Sequence, residues 1–386
     1  MSRHTSSQFA FLRQSEIRNM SIECAKVSGI NLAQGVCDTE VPEAVRQGAA
    51  DAMEAGTNIY TRYDGLSELR MAIARKFERE TGLTADPERE VLVTSGATGA
   101  FYAACAALFD RGDEVILFEP FYSYHLDTLQ ALGVTPRLVP LELPDWSFSI
   151  AALRAAISEK TRAIVINTPG NPSGKVFSRA ELESIAELAR EFDLYVITDE
   201  IYEYFLYDGH QHVSFAALPD MRDRTLCIGG FSKTFSITGW RVGYLLGNAE
   251  LCDKIGQVHD LLYVCAPAPL QIGVARGLEA LPAEFYANLR QEYARKRELL
   301  CRALERAGLT PHIPSGAYYV LANAERLPGA SAKERALSLL ARTGVAAVPG
   351  SAFFRSDRGS TLLRFSYAKR EAELRQACQN LASLQL

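Results

Sequence analysis

The stretch GGFSKTFSITGWRVGY, residues 229–244, decides how this chain is read. An apolar run, TLCIG (225–229), leads into it, and a lysine then sits among Gly, Ser and Phe, where a strand of an open α/β sheet ends and ligands bind. Lysine forms Schiff bases with carbonyl compounds when its amine is neutral, and a nearby cation such as Arg241 favours that form. Lys233 is therefore the candidate nucleophile. A lysine in a polar turn is more often a plain surface residue, so the case rests on its surroundings.

Outward from this stretch, from about residue 90 to 250, short Val- and Ile-rich runs alternate with helical patterns, the rhythm of βαβ units around a mainly parallel sheet. VLVTSG (91–96) precedes the helix-like GAFYAACAALFD. AIVIN (163–167) precedes a Pro/Gly-rich turn and the amphipathic RAELESIAELAREF, and LYVITD (194–199) precedes another turn. Near residue 284 the pattern changes: EFYANLRQEYARKRELLCRALERAG reads as one long charged amphipathic helix. YYVLANA, a helix around KERALSLLART, the strand candidates VAAVP and LLRFSYA and a final helix follow. We expect an N-terminal segment (1–45), a large domain (46–285) and a smaller α+β domain (286–386) completed by the N-terminal segment, packed around a shared cleft.

Composition narrows the function. The 386 residues are 48% hydrophobic and 23% charged, ordinary for a globular protein. Lys+Arg 41 against Asp+Glu 46 gives a net charge of −5, no broad positive field for nucleic acid or an anionic membrane. The eight cysteines are scattered without Cys-x-x-Cys spacing, so we expect reduced thiols and no metal. His210 and His212 in DGHQH read as a solvated loop. The N-terminus lacks the apolar core of a signal peptide and no apolar run spans a membrane, which points to the cytoplasm.

Two segments mimic nucleotide motifs. GNPSGKV (170–176) has its glycines one residue too close for a phosphate loop, and Val176 stands where Ser or Thr would hold magnesium. TSGATG (94–99) is not G-x-G-x-x-G. Small residues at a strand-to-helix turn still let backbone amides approach an anion, so Gly96, Ala97 and Thr98 form a candidate phosphate turn. The alternative is an ordinary helix start capped by Ser95 or Thr94.

With these residues in place, S-K-x-x-x-x-x-G-x-R (232–241) resembles the lysine motif of class I and II aminotransferases, the fold type I enzymes that use pyridoxal phosphate. Other segments agree in order: LAQGVCDTEVP (32–42), YTRYDGLSELRMAIA (60–74), VTSGATGA, EPFYSY, NTPGNPSGKVF, VITDEIY, IPSGAYYVLA, VPGSAFF and LLRFSYA. The resemblance spans about residues 15–380. It departs at Gly99, where relatives commonly carry a long side chain after GAT.

The resemblance implies an α/β fold with a mainly parallel seven-stranded sheet flanked by helices, and a ping-pong transfer of an amino group between an L-amino acid and a 2-oxo acid, glutamate/2-oxoglutarate being one pair. It makes Lys233 the internal aldimine lysine and proton carrier, and Asp199 the partner of the pyridinium nitrogen. Tyr202 and Asn171 would reach the phenolic oxygen, and Tyr122 would stack on the ring. Gly96, Ala97, Thr98, Ser232 and Arg241 would hold the phosphate, with Tyr60 added by the neighbouring subunit of a homodimer with shared active sites. Arg364 would clamp the substrate α-carboxylate, with Gly35 and Asn171 beside it. A carbon–sulfur lyase and a non-catalytic pyridoxal-binding regulator are the alternatives on this fold. For side-chain recognition the sequence offers only weak candidates: Arg62 for a second carboxylate, and Phe11, Tyr63 and Phe353 for an aromatic wall.

Overall fold

The computed structural model describes residues 7–384. Its centre is a seven-stranded sheet: β1 (Val91–Thr94), β2 (Glu114–Glu119), β3 (Thr135–Pro140), β4 (Thr161–Asn167), β5 (Tyr195–Asp199), β6 (Thr225–Gly230) and β7 (Gly243–Leu246). The spatial order is β1-β7-β6-β5-β4-β2-β3, and only β7 runs antiparallel to its neighbours. The central strands are apolar nearly throughout because helices cover both faces. Ile164, Ile166 and Val196 pack with Leu182, Ile185 and Leu188 of the helix Arg179–Glu191. Their alternates Ala163, Val165 and Ile197 face the opposite layer, with Ala103, Ala104 and Leu129.

Local signals set the boundaries. Ser178 and Glu181 form a reciprocal capping box that starts the helix Arg179–Glu191, an arrangement in which loss of the cap typically costs ~1 kcal/mol. The long helix expected from residue 284 runs over Ala283–Arg306 and buries Tyr293, Leu300 and Leu304.

A second, wholly antiparallel sheet contains β8 (Thr310–His312), β9 (Tyr319–Asn323), β10 (Val348–Pro349) and β11 (Leu362–Ser366), in the order β10-β11-β9-β8. The segment VAAVP differs from its reading as a single strand. Val345–Ala346 pairs in parallel with Ile30–Asn31, whereas Val348–Pro349 joins β11. Ala347 is the break between the two partners, and the first pairing ties the N-terminal segment to the C-terminal part of the chain. All eight cysteines are free, and among the described residues no helix is long and apolar enough to cross a membrane.

This topology decides where chemistry gathers. Asn167 at the end of β4 lies in register with Asp199 at the end of β5, and the next strand, β6, runs straight into Ser232 and Lys233. Polar residues far apart in sequence thus reach one carboxyl edge, facing the second sheet.

Candidate active site

A cavity of about 500 Å³ opens along this edge, within the usual range for small-molecule sites. Its walls include Gly35, Ala97, Thr98, Tyr122, Asn171, Asp199, Tyr202, Ser232, Lys233, Arg241 and Arg364. Eleven residues singled out from sequence therefore share one space. Gly96 stands immediately behind it, whereas Tyr60 is elsewhere, 79% exposed.

One end is built for an anion. The helix Gly96–Leu108 starts there, and neither of the expected caps forms: the Ser95 side chain makes no capping bond, and the Thr94 hydroxyl donates to the Gly96 carbonyl. The first amides of a helix have no intrahelical acceptor, so those of Ala97 and Thr98 remain available at its positive end. Gly96 has φ +72°, and a Cβ there would strike the Arg241 guanidinium. Arg241 itself holds a left-handed φ of +57°, with Nη1 donating to the Thr238 carbonyl at 3.0 Å. A non-glycine residue held this way at a cavity wall is backbone strain of the kind found at ligand clamps. Behind the turn, the Ser95 amide donates to Nε2 of the fully buried His259 at 2.9 Å. A Cβ at Gly99 would lie in ordinary contact with Ser95, Tyr263 and His259, so packing there does not explain the departure from relatives.

The middle of the cavity holds the proton-handling groups. Lys233 Nζ donates to the Gly35 carbonyl at 3.1 Å, and the Tyr318 hydroxyl donates to the same oxygen at 3.1 Å. A Cβ on Gly35 would run into the Tyr319 ring, so only glycine lets the N-terminal segment approach this closely. Asp199 is buried, with Oδ2 3.1 Å from His125 Nε2 and Oδ1 accepting the Ile201 amide at 3.3 Å. The Tyr202 hydroxyl lies 3.0 Å from that of Tyr319. Burial, and then the neighbouring Tyr319, push the Tyr202 phenol above its ordinary value, so it remains a protonated donor.

The far end is cationic. Arg364 is 1% exposed, donates from Nη1 to Asn171 Oδ1 at 2.8 Å and from Nη2 to the Ala33 carbonyl at 2.6 Å, and lies over the Tyr319 and Phe353 rings. Its Nε is buried without a partner. Burial lowers the guanidinium below its ordinary value, because all these neighbours are uncharged. A buried cation held only by neutral groups lacks its counter-ion, and the cavity is where one would enter.

Among the wall residues without a role in the reading from sequence are His125, Tyr319 and Arg18. His125 is three residues after Tyr122 and turns toward Asp199 only because β2 and β5 lie in the same sheet. The weak specificity candidates fare differently. Arg62 is engaged by Asp64 at 2.7 Å and Glu88 at 2.9 Å, away from the cavity wall. Phe353 lies under Arg364, Tyr63 lines a separate cavity, and Phe11 is 37% exposed. The DGHQH turn also needs correcting. His210 is exposed, but His212 is tucked in, with Nε2 2.9 Å from Glu200 Oε2. It belongs to a buried ionic network behind Asp199, in which Lys76 Nζ donates to Glu203 Oε2 at 2.7 Å and Glu80 Oε2 at 2.7 Å. No local pattern points to this network, since Lys76 and Glu203 are 127 residues apart.

An anion cup, a lysine and a buried carboxylate in one cavity, and a counter-ion-free arginine at the carboxyl edge of a mainly parallel sheet define a pyridoxal phosphate enzyme of fold type I. The class I and II aminotransferase family matches over residues 27–381, and the chain belongs to it. It is 37% identical over 377 residues to a probable N-succinyldiaminopimelate aminotransferase of Mycobacterium tuberculosis, covering 95% of this chain and 94% of that one. It is 35% identical over 378 residues to human kynurenine–oxoglutarate transaminase 1, covering 89% and 90%. Among solved structures, the Mycobacterium tuberculosis N-succinyldiaminopimelate aminotransferase superposes with a TM-score of 0.95 at 36% identity, covering 99% of this chain and 100% of the other. YbdL of Escherichia coli, a methionine aminotransferase, gives 0.94 at 32% identity, covering 99% and 100%. The protein is a pyridoxal phosphate-dependent aminotransferase, with an amino acid and a 2-oxo acid as its substrates.

Proposed function

We propose that this aminotransferase works with glutamate/2-oxoglutarate as one substrate pair, as a cytoplasmic homodimer, and that the cavity residues divide the labour as follows. Ala97, Thr98, Ser232 and Arg241 hold the cofactor phosphate over the Gly96 turn, joined by Tyr60 of the other subunit. Asp199, oriented by His125, would pair with the ring nitrogen, Tyr122 would hold the ring, and Tyr202 and Asn171 would bind the phenolic oxygen. When bound, pyridoxal phosphate supplies an electron sink for the Cα–H bond of the substrate. Lys233 Nζ would hold the cofactor through its aldehyde carbon and would take and return the Cα proton of the substrate, a kind of assistance generally contributing ~10²–10⁴-fold. Arg364, with Asn171 and the Gly35 backbone, orients the substrate by its α-carboxylate.

The observation that carries this reading is Arg364: a buried guanidinium with neutral partners only, in the same cavity as Lys233. Subunit sharing is supported by the exposed Ile59 and Tyr60, at 81% and 79%, and by Leu261 at 86%. A reducing compartment suits eight free cysteines. The division of the chain into residues 46–285 and a smaller unit from 1–45 and 286–386 suits the two sheets.

An amino acid added alone should convert the bound cofactor stoichiometrically to its amine form. Release of pyruvate and ammonia with the cofactor unchanged would instead indicate the lyase. The Lys233→Ala protein should fold, bind cofactor, and show no borohydride-fixed attachment; retained attachment would remove Lys233 from its role.

A further inference from the structure

Tyr319 touches both a cofactor residue and the substrate arginine, yet neither contact has been given a purpose above. It opens β9 in register with Ser366 of β11, and Arg364, two residues back along β11, is in register with Leu321. Side chains two apart on a strand share a face, so Tyr319 and Arg364 are diagonal neighbours, a spacing that an aromatic and a long side chain can bridge. The bridge forms, with the Arg364 guanidinium carbon 4.2 Å from the centre of the Tyr319 ring. The hydroxyl at the tip of that ring lies 3.0 Å from the Tyr202 hydroxyl, and the two rings meet edge-on with centroids 5.8 Å apart. Glycine at position 35 makes room for this, because a Cβ there would strike the Tyr319 hydroxyl before any other atom.

A phenol has one hydrogen to donate. With that of Tyr202 given to the phenolic oxygen of the cofactor, its own oxygen can only accept, and Tyr319 supplies the hydrogen. Both phenols are buried, and hydrogen bonds in series strengthen one another in a low-dielectric interior. We propose that Tyr319 is a positioning residue with two actions: its hydroxyl turns the Tyr202 hydrogen toward the phenolic oxygen, and its ring holds the Arg364 fork for the substrate carboxylate. This rests on the roles given above to Tyr202 and Arg364. One side chain of the second sheet thereby ties the grip on the cofactor to the grip on the substrate. The titratable and charged groups facing the two phenols are Tyr122, Tyr318, Asp199 and Arg364, with Lys233 in the same cavity, and all of them stay in place when Tyr319 is replaced.

The test uses holoenzyme and two readouts without turnover: the pH midpoint of its visible absorption change, and equilibrium binding of the unreactive monocarboxylate butyrate. Tyr319→Phe removes only the hydroxyl. Weaker donation from Tyr202 leaves more negative charge on the phenolic oxygen, which holds the cofactor's proton more tightly. The midpoint should therefore rise by about half a pH unit, with butyrate binding within about twofold of wild type. Tyr319→Leu removes the ring as well and should weaken butyrate about tenfold on top of a similar midpoint shift. In a Tyr202→Phe background, Tyr319→Phe should move the midpoint no further, since the series is already cut. An unmoved midpoint in Tyr319→Phe, or the same shift with and without the Tyr202 hydroxyl, overturns the first action. Butyrate binding that falls equally in Tyr319→Phe and Tyr319→Leu, or in neither, overturns the second. Tyr319→Phe preserves the packing and so tests the first action by itself. If Tyr202→Phe alone leaves the midpoint where it was, the role of Tyr202 falls and that action of Tyr319 with it; a shift in Tyr202→Phe without one in Tyr319→Phe removes Tyr319 only.

Discussion

Protonating His259 should destabilise this protein in a defined pH window. The imidazole is fully buried on the helix Ala249–Tyr263, and its Nε2 accepts the Ser95 amide hydrogen at 2.9 Å. That bond requires a bare Nε2, so the folded state holds the neutral ring with its proton on Nδ1, which is buried without a partner. Burial pushes the group down from 6.5 to about 4, with Asp260 opposing. Between those values the unfolded chain takes up a proton that the native state refuses. The contribution to stability is therefore complete above pH 6.5 and is lost as pH falls toward 4. At about 1.4 kcal/mol per pH unit the whole interval is worth about 3 kcal/mol, of which about 2 kcal/mol is gone at pH 5.

Other carboxyls titrate in the same range, so the informative quantity is a difference. Urea unfolding of wild type and His259→Gln, at one protein concentration between pH 4.5 and 7.5, supplies it. Glutamine keeps an acceptor for the Ser95 amide and does not titrate. The variant should lose about 2 kcal/mol less than wild type on moving from pH 7 to pH 5. Parallel profiles, within about 0.5 kcal/mol, would refute the claim that this histidine is held neutral by its bond to Ser95.

Two further substitutions probe the site and its foundation. Arg364→Ala should lower kcat/KM for every amino donor by roughly 30- to 5,000-fold, the ~2–5 kcal/mol typical of truncating one partner of a buried charge pair; steady-state kinetics with acidic and neutral donors would show a loss common to both. Lys76→Met leaves Glu203 and Glu80 without their shared ammonium in the interior and should cost ~3–5 kcal/mol of stability, read as a lowered urea midpoint; an unchanged midpoint would mean that Glu203, already pushed up to about 7 by burial, simply takes up a proton.

Much of this enzyme was legible before any coordinates. The strand-and-turn units around VLVTSG, AIVIN, LYVITD and GGFSK announce themselves because a buried parallel strand must be apolar and must end in polar residues where ligands sit. Lys233, Asp199 and Arg364 could be picked out because each is an ionic side chain at the end of, or within, an apolar run, where burial without a ligand is unfavourable, whereas Asn171, in a Pro/Gly-rich turn, was marked only by the family resemblance. The VAAVP segment was legible as extended chain but not as two pieces, since its partners lie more than 300 residues upstream in one case and within the second sheet in the other.

The sequence by itself determined the fold class, which periodicity carries, and, through the family resemblance of its short motifs, the cofactor. Only the tertiary structure decided the supporting groups. His125 behind Asp199, Tyr319 beside Tyr202, His259 beneath the Ser95 turn, and Lys76 between Glu203 and Glu80 each meet partners brought together by strand order and chain-end packing. The physical reason is range. Propensity and patterning act over a few residues, whereas a hydrogen bond or an ion pair depends on distance in space, which the sheet topology sets.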